Sequence, residues 1–103
     1  MKIKLNPEIP DYHMPTYKMI NMAFPNDIPE DDYLPLLAVL YGGGMTYRTV
    51  AELISAMTLR SYGEALHDVM TAHADLLKSD ITVQMRERLR EYGYDEWINN
   101  LYT

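Results

Sequence analysis

The residues from Tyr33 to Tyr41 read YLPLLAVLY, nine in a row without a charge, between an acidic proline-rich run (PNDIPEDD) and three glycines. A short buried strand and a fully buried helix can both look like this. Pro35 argues against a central strand, because proline cannot donate to a ladder, and the periodicity on either side is helical. The segment is therefore expected to be a helix enclosed by the rest of the fold. Its N-cap is expected at Asp32. That makes Pro35 the third helical residue, where a missing N–H is harmless because first-turn N–H groups lack intrahelical acceptors. Its end is expected at Tyr41, with Gly42 at positive φ just past the last turn.

The flanking segments supply the enclosure. MPTYKMINMAF (14–24) places Tyr17, Ile20, Ala23 and Phe24 at helical spacing, and Pro25 ends it. After the glycines, Thr46 or Thr49 can cap a helix whose apolar run is Val50, Leu53, Ile54 and Met57; Thr49 and Glu52 have capping-box spacing. Residues 61–77 carry the cleanest stripe: Tyr62, Ala65, Leu66, Val69, Met70, His73, Leu76 and Leu77 on one face, Glu64, Asp68, Thr71 and Asp75 on another. In 79–93 the inward set is Ile81, Met85, Leu89 and Tyr92, with Gly93 as the stop. Tyr94, Trp97, Ile98 and Leu101 form a short closing helix capped by Asp95. Residues 1–13 hold two prolines and mixed charge without a period, which reads as an N-terminal arm, extended or disordered. The expected fold is all-α: a single domain over 14–103, a compact bundle of five to six short helices with no sheet.

FPNDIPEDDYLPLLAVL (24–40) resembles the signature of a small actinobacterial and actinobacteriophage family of unknown function, an aromatic–Pro–x–Gly–Val–Pro–x–x–Asp–Tyr–x–Pro–Leu–Leu–Ala–Leu–Leu pattern. Phe24, Pro25, Pro29, Asp32, Tyr33, Pro35, Leu36, Leu37, Ala38 and Leu40 match it; Asp27 stands where the family has glycine, and Ile28 and Val39 are conservative changes. SDITVQMRERLREYGY (79–94) is similar to the family's closing helix through Arg88, Leu89, Gly93 and Tyr94, with tyrosine for tryptophan. The two matches bracket residues 17–94. Between them, Gly42–Gly44 stand where the family has basic residues. The resemblance implies an all-helical fold, an actinobacterial or phage origin and no assigned activity, and it carries over no catalytic residue.

Charge and composition narrow the function classes. The net charge is −6, and only Arg86, Arg88 and Arg90 cluster among the basic residues. A nucleic-acid binder needs a basic face, so this balance argues against one. Cysteine is absent, which excludes disulfides, thiol catalysis and Cys-based zinc sites and fits a reducing cytoplasm. No apolar run is long enough to span a bilayer, and the first residues lack the apolar stretch of a signal peptide. A cytoplasmic location is expected, with no membrane contact.

Four chemical readings can be tested on the residues. A phosphate loop needs a preceding strand and a Gly-Lys-Ser/Thr ending; Gly42-Gly43-Gly44 is followed by Met45 and preceded by a helix. A helix-turn-helix over residues 46–72, winged-helix-like with 61–72 as its recognition helix, has the right pattern, but its outward residues are Glu64, His67 and Asp68 rather than cations. His67 and His73 lie six apart on different helix faces, which disfavours a metal site. No nucleophile–base arrangement or paired carboxylate in an apolar setting supports catalysis. No catalytic residue, cofactor or metal is expected. What remains is a small protein-interaction or regulatory module, with the helix-turn-helix regulator as the alternative. Its nine tyrosines and eight methionines suit contact surfaces. The expected contacts are Tyr41, Met45 and Tyr47 beside the glycine turn and Tyr94 and Trp97 at the end. Asp32, Pro35, Gly42 and Gly93 are expected to be structural. The partner is a protein, a second copy of the chain among the candidates.

Overall fold

The apolar segment is the central helix. The structure is a computed structural model that describes residues 2–5 and 9–101. Six helices follow in order: α1 Met14–Ala23, α2 Glu30–Gly42, α3 Tyr47–Thr58, α4 Tyr62–Leu76, α5 Asp80–Arg90 and α6 Tyr94–Leu101. Leu36 to Leu40 of α2 are wholly buried. α2 is covered mainly by α4 and α5, α3 packs on α4, and α1 and α6 close the far side. The fold is an all-α bundle of six helices. Its only strands among the described residues are two short ones, β1 Lys2–Ile3 and β2 Ile28–Pro29, paired antiparallel with Ile3 opposite Ile28.

That pairing anchors the beginning of the chain. Ile3 is buried in the core, the Leu5 N–H donates to Asp27 Oδ1 at 3.1 Å, and Asp11–His13 form a 3-10 turn that leads into α1 with His13 buried. The segment expected to be an arm is thus extended at Lys2–Ile3 and tied down at its described residues; residues 1 and 6–8 of it lie outside them.

The start of α2 differs from the expectation. Pro29, extended at φ −58° and ψ 143°, precedes the first helical residue, so Asp32 is the third residue of α2 and not its N-cap. Glu30, Asp31 and Asp32 fill the first turn, where negative charge meets the positive end of the helix dipole. Pro35 is then the sixth helical residue and removes one interior hydrogen bond, that to the Asp31 carbonyl. Asp31 is exposed, so water can replace the missing donor. The Asp32 carboxylate instead meets Arg88 of α5 at 3.3 Å.

Its end differs too. Gly42 is still helical, and Gly43 caps the helix at φ −77° with its N–H on the Val39 carbonyl. The positive φ belongs to Gly44, at 111°. Gly43 is buried: a β-carbon there would lie 3.0 Å from Ile98 Cδ1 and 3.1 Å from Trp97 Cζ3. The run is a close-packed crossing of α2 beneath α6 followed by a left-handed turn.

Three other helix starts, those of α3, α4 and α5, are capped by side chains. Thr46, Ser61 and Ser79 each accept from the backbone N–H three residues on, and the Ser61 hydroxyl also donates to the Glu64 carboxylate at 3.0 Å. Gly93 takes φ 94° between α5 and α6. Asp95, expected as the cap of α6, is its second residue and lies 3.4 Å from Arg90 Nε. Met85 and Leu89 of α5 are buried as expected, but Ile81, expected inward, is exposed, and Thr82 faces the core in its place.

Candidate functional site

Three of the five expected contact residues are core. Met45, Tyr94 and Trp97 are each 6% exposed. Trp97 packs against Gly43 and donates its indole N–H to Thr16 Oγ1 of α1 at 2.8 Å. A large apolar ring with its one polar atom satisfied inside the protein closes the bundle; it does not offer a contact.

Tyr41 and Tyr47 do stand at the surface, and together. Their rings stack 9° from parallel with centroids 4.6 Å apart, and His73 of α4 leans on Tyr41 at 4.5 Å. Tyr47 Oη and His73 Nδ1 share a hydrogen bond. Partial desolvation, and then the neighbouring Tyr41 phenol, raise the Tyr47 pKa. The cluster ties the end of α2 and the start of α3 to α4. Beside it an open depression of about 470 Å³ is lined by Gly44, Met45, Thr46 and Leu77. None of its lining residues is charged, although an Arg86 guanidinium nitrogen lies 4.0 Å from where a Gly42 β-carbon would stand, and Gly43 has no free space above its Cα for a phosphate to approach.

Two further polar arrangements were not legible in the sequence. Tyr33, buried at the start of α2, donates its hydroxyl to Asp68 Oδ2 of α4 at 2.7 Å, and the Arg60 guanidinium lies 4.9 Å above the Tyr33 ring and 3.7 Å from the same carboxylate oxygen. Burial, with Asp68 beside it, pushes the Tyr33 phenol well above its usual range. Asp68, expected on a solvated acidic face, therefore belongs to an interhelical clasp. His13 is the second: its Nε2 is buried without a hydrogen-bond partner. Burial lowers its pKa, and Glu52 opposes this only in part. Among the described residues no three His, Asp or Glu side chains converge on a metal position, and no helix is long and apolar enough to cross a membrane.

The largest departure concerns α4. The apolar stripe expected to face inward is wider than the core that receives it. Only Ala65, Val69 and Ala72 are buried. Tyr62 is 41% exposed and Met70 51%, while Leu66 and Leu77 are half-buried. At 3.6 residues per turn, this flank lies about a quarter of a turn round the helix from the buried line. Leu59, 79% exposed, stands just before it in the turn that joins α3 to α4. That turn holds Leu59 at φ 65°, unusual for a side chain of this size, with the Ser55 hydroxyl on the Arg60 carbonyl and the Arg60 N–H on Thr58 Oγ1. Leu59, Tyr62 and Met70, with half-buried Leu66 between them, form the apolar edge of a completed bundle. The residues were visible in the sequence as hydrophobic; which half of the stripe would find partners was not.

No family model, curated protein sequence or solved structure that was compared matches this chain.

Proposed function

We propose that the protein is a small protein-interaction or regulatory module without catalysis of its own, and that its contact surface is the exposed flank of α4 with the α3–α4 turn. The observation that carries this is the flank itself: a row of large apolar side chains left in solvent although the core is closed. Patches of this kind mark contacts between proteins, and Met and Tyr adapt well to them. Tyr41, Tyr47 and His73 continue the same side of the molecule at the C-terminal end of α4.

The runner-up is DNA binding. The short turn with a left-handed Leu59 between α3 and α4 favours it, since a helix-turn-helix is built this way. Against it stands the face that would enter the groove, which offers Tyr62, Leu66, His67 and Met70. None is Arg, Lys, Asn or Gln, the side chains that read base edges bidentately.

The test is paired capture from a lysate of an actinobacterial host, the source that the sequence resemblance implies, with wild-type protein and Met70→Lys. A protein held by wild type and lost by the variant supports the reading; proteins held equally by both overturn it. Titration with duplex DNA at low salt separates the runner-up, which requires salt-sensitive binding.

A further inference from the structure

We infer that the exposed flank of α4 is covered by a second copy of this chain, packed antiparallel with a two-fold axis passing Met70. This rests on the interaction reading above and names the partner.

The argument begins with what an antiparallel helix pair must do. Residues equally far before and after the axis face each other across the interface. With the axis at Met70, Leu66 faces Ala74, Gly63 faces Leu77 and Tyr62 faces Lys78. Leu66 and Leu77 thus each meet a small residue, the packing that lets two helices approach closely, and Met70 meets its own copy on the axis. The Tyr62 ring meets an ammonium group, a favourable contact over an aromatic face. No carboxylate lies on this flank, so two copies of a chain with net charge −6 can approach here without setting acid against acid.

Gly63 supplies an independent observation. It sits in the first turn of α4, is exposed, and a β-carbon there would meet nothing within 4 Å. Neither the backbone, which is helical, nor the packing within the chain calls for glycine, and glycine weakens a helix. A leucine arriving from outside accounts for it. The antiparallel arrangement also brings the exposed Leu59 at one end of α4 toward the end from which the exposed Ile81 follows.

The size of the surface sets the strength. α4 has 15 residues and is about 22 Å long. Two such faces bury on the order of 1,000 Å², the low end for a specific interface. The dimer is accordingly weak and reversible.

Sedimentation equilibrium over a wide concentration range tests this on the full chain. Wild type is expected to pass reversibly from monomer to dimer. Met70→Lys and Met70→Glu, which each set two like charges beside the axis, should each weaken the dimer by roughly tenfold or more. An equimolar mixture of the two should restore it as a heterodimer, which requires residue 70 of one copy to face residue 70 of the other. A wild type that stays monomeric to its solubility limit overturns the inference. So does a dimer indifferent to Met70→Lys, or a mixture that fails to re-associate. A monomer that still loses a captured protein on Met70→Lys assigns the flank to that protein: the interaction reading survives and the second copy does not.

Discussion

Gly43 and Trp97 meet so closely that a β-carbon on the glycine would stand 3.1 Å from the indole Cζ3 and, at the same time, 3.0 Å from Ile98 Cδ1. The glycine is what allows α6 to lie over the end of α2. Gly43→Ala is expected to destabilise by roughly 1–3 kcal/mol, the range for overpacking a tight site. Gly63→Ala should instead be neutral or stabilise the monomer by up to about 1 kcal/mol, because the added carbon meets open space and alanine is the better helix former. Thermal unfolding of the two variants at a concentration that keeps the protein monomeric checks the contrast. A Gly43→Ala protein as stable as wild type would show that α6 moves freely at this point.

Tyr33, Asp68 and Arg60 form a clasp whose members are not equivalent. Asp68→Ala leaves the buried Tyr33 hydroxyl without its acceptor and should cost about 1–3 kcal/mol. Tyr33→Phe leaves Asp68 partly exposed and still near Arg60, so it should cost less, on the order of 1 kcal/mol. Denaturant unfolding of both single variants and the double variant measures the coupling. Strictly additive losses would show that the 2.7 Å bond contributes nothing.

His13 predicts a dependence on acid. Burial holds its folded pKa below the unfolded value of 6.5, so the neutral form is the one that folds. The stability it permits is fully present above pH 6.5 and is lost as pH falls from there toward the lowered folded pKa. The wild-type melting temperature should decline through this window, and His13→Gln should remove that component of the decline. Identical pH profiles for the two proteins would exclude His13 as its source.

Arg88 should matter more than the acid it pairs with. Its guanidinium reaches Asp32 at 3.3 Å, donates to the Ala23 carbonyl at the end of α1 at 3.3 Å, and lies 4.4 Å above the Phe24 ring. Asp32→Ala removes one half-exposed ion pair and one first-turn acid and should cost about 0.5–1 kcal/mol, less at high salt. Arg88→Ala loses the carbonyl and ring contacts as well, so it should cost about 1–2 kcal/mol and remain costly in salt. Equal losses that vanish together in salt would reduce the arrangement to the ion pair.

Local chemistry made most of the elements readable. A nine-residue apolar run, helical spacing before and after it, and Thr46, Ser61 and Gly93 at helix boundaries depend on contacts within a few residues, so the all-α bundle follows from the sequence. The sequence also marks Met45, Tyr94 and Trp97 as large and apolar, but it is silent on whether such residues face a core or a partner. Tertiary structure decided that. Gly43 is small because Trp97, far along the chain, lies above it. Asp32 gave up its expected capping place because Pro29, held extended beside Lys2, starts the helix three residues earlier. Asp68 is drawn off the acidic face by Tyr33 and Arg60. On α4 one continuous stripe was split into a buried line at Ala65, Val69 and Ala72 and an open flank at Tyr62, Leu66 and Met70. Helical periodicity specifies only that a stripe is apolar; how much of it is covered depends on the crossing geometry of α2 and α3, which no local pattern encodes.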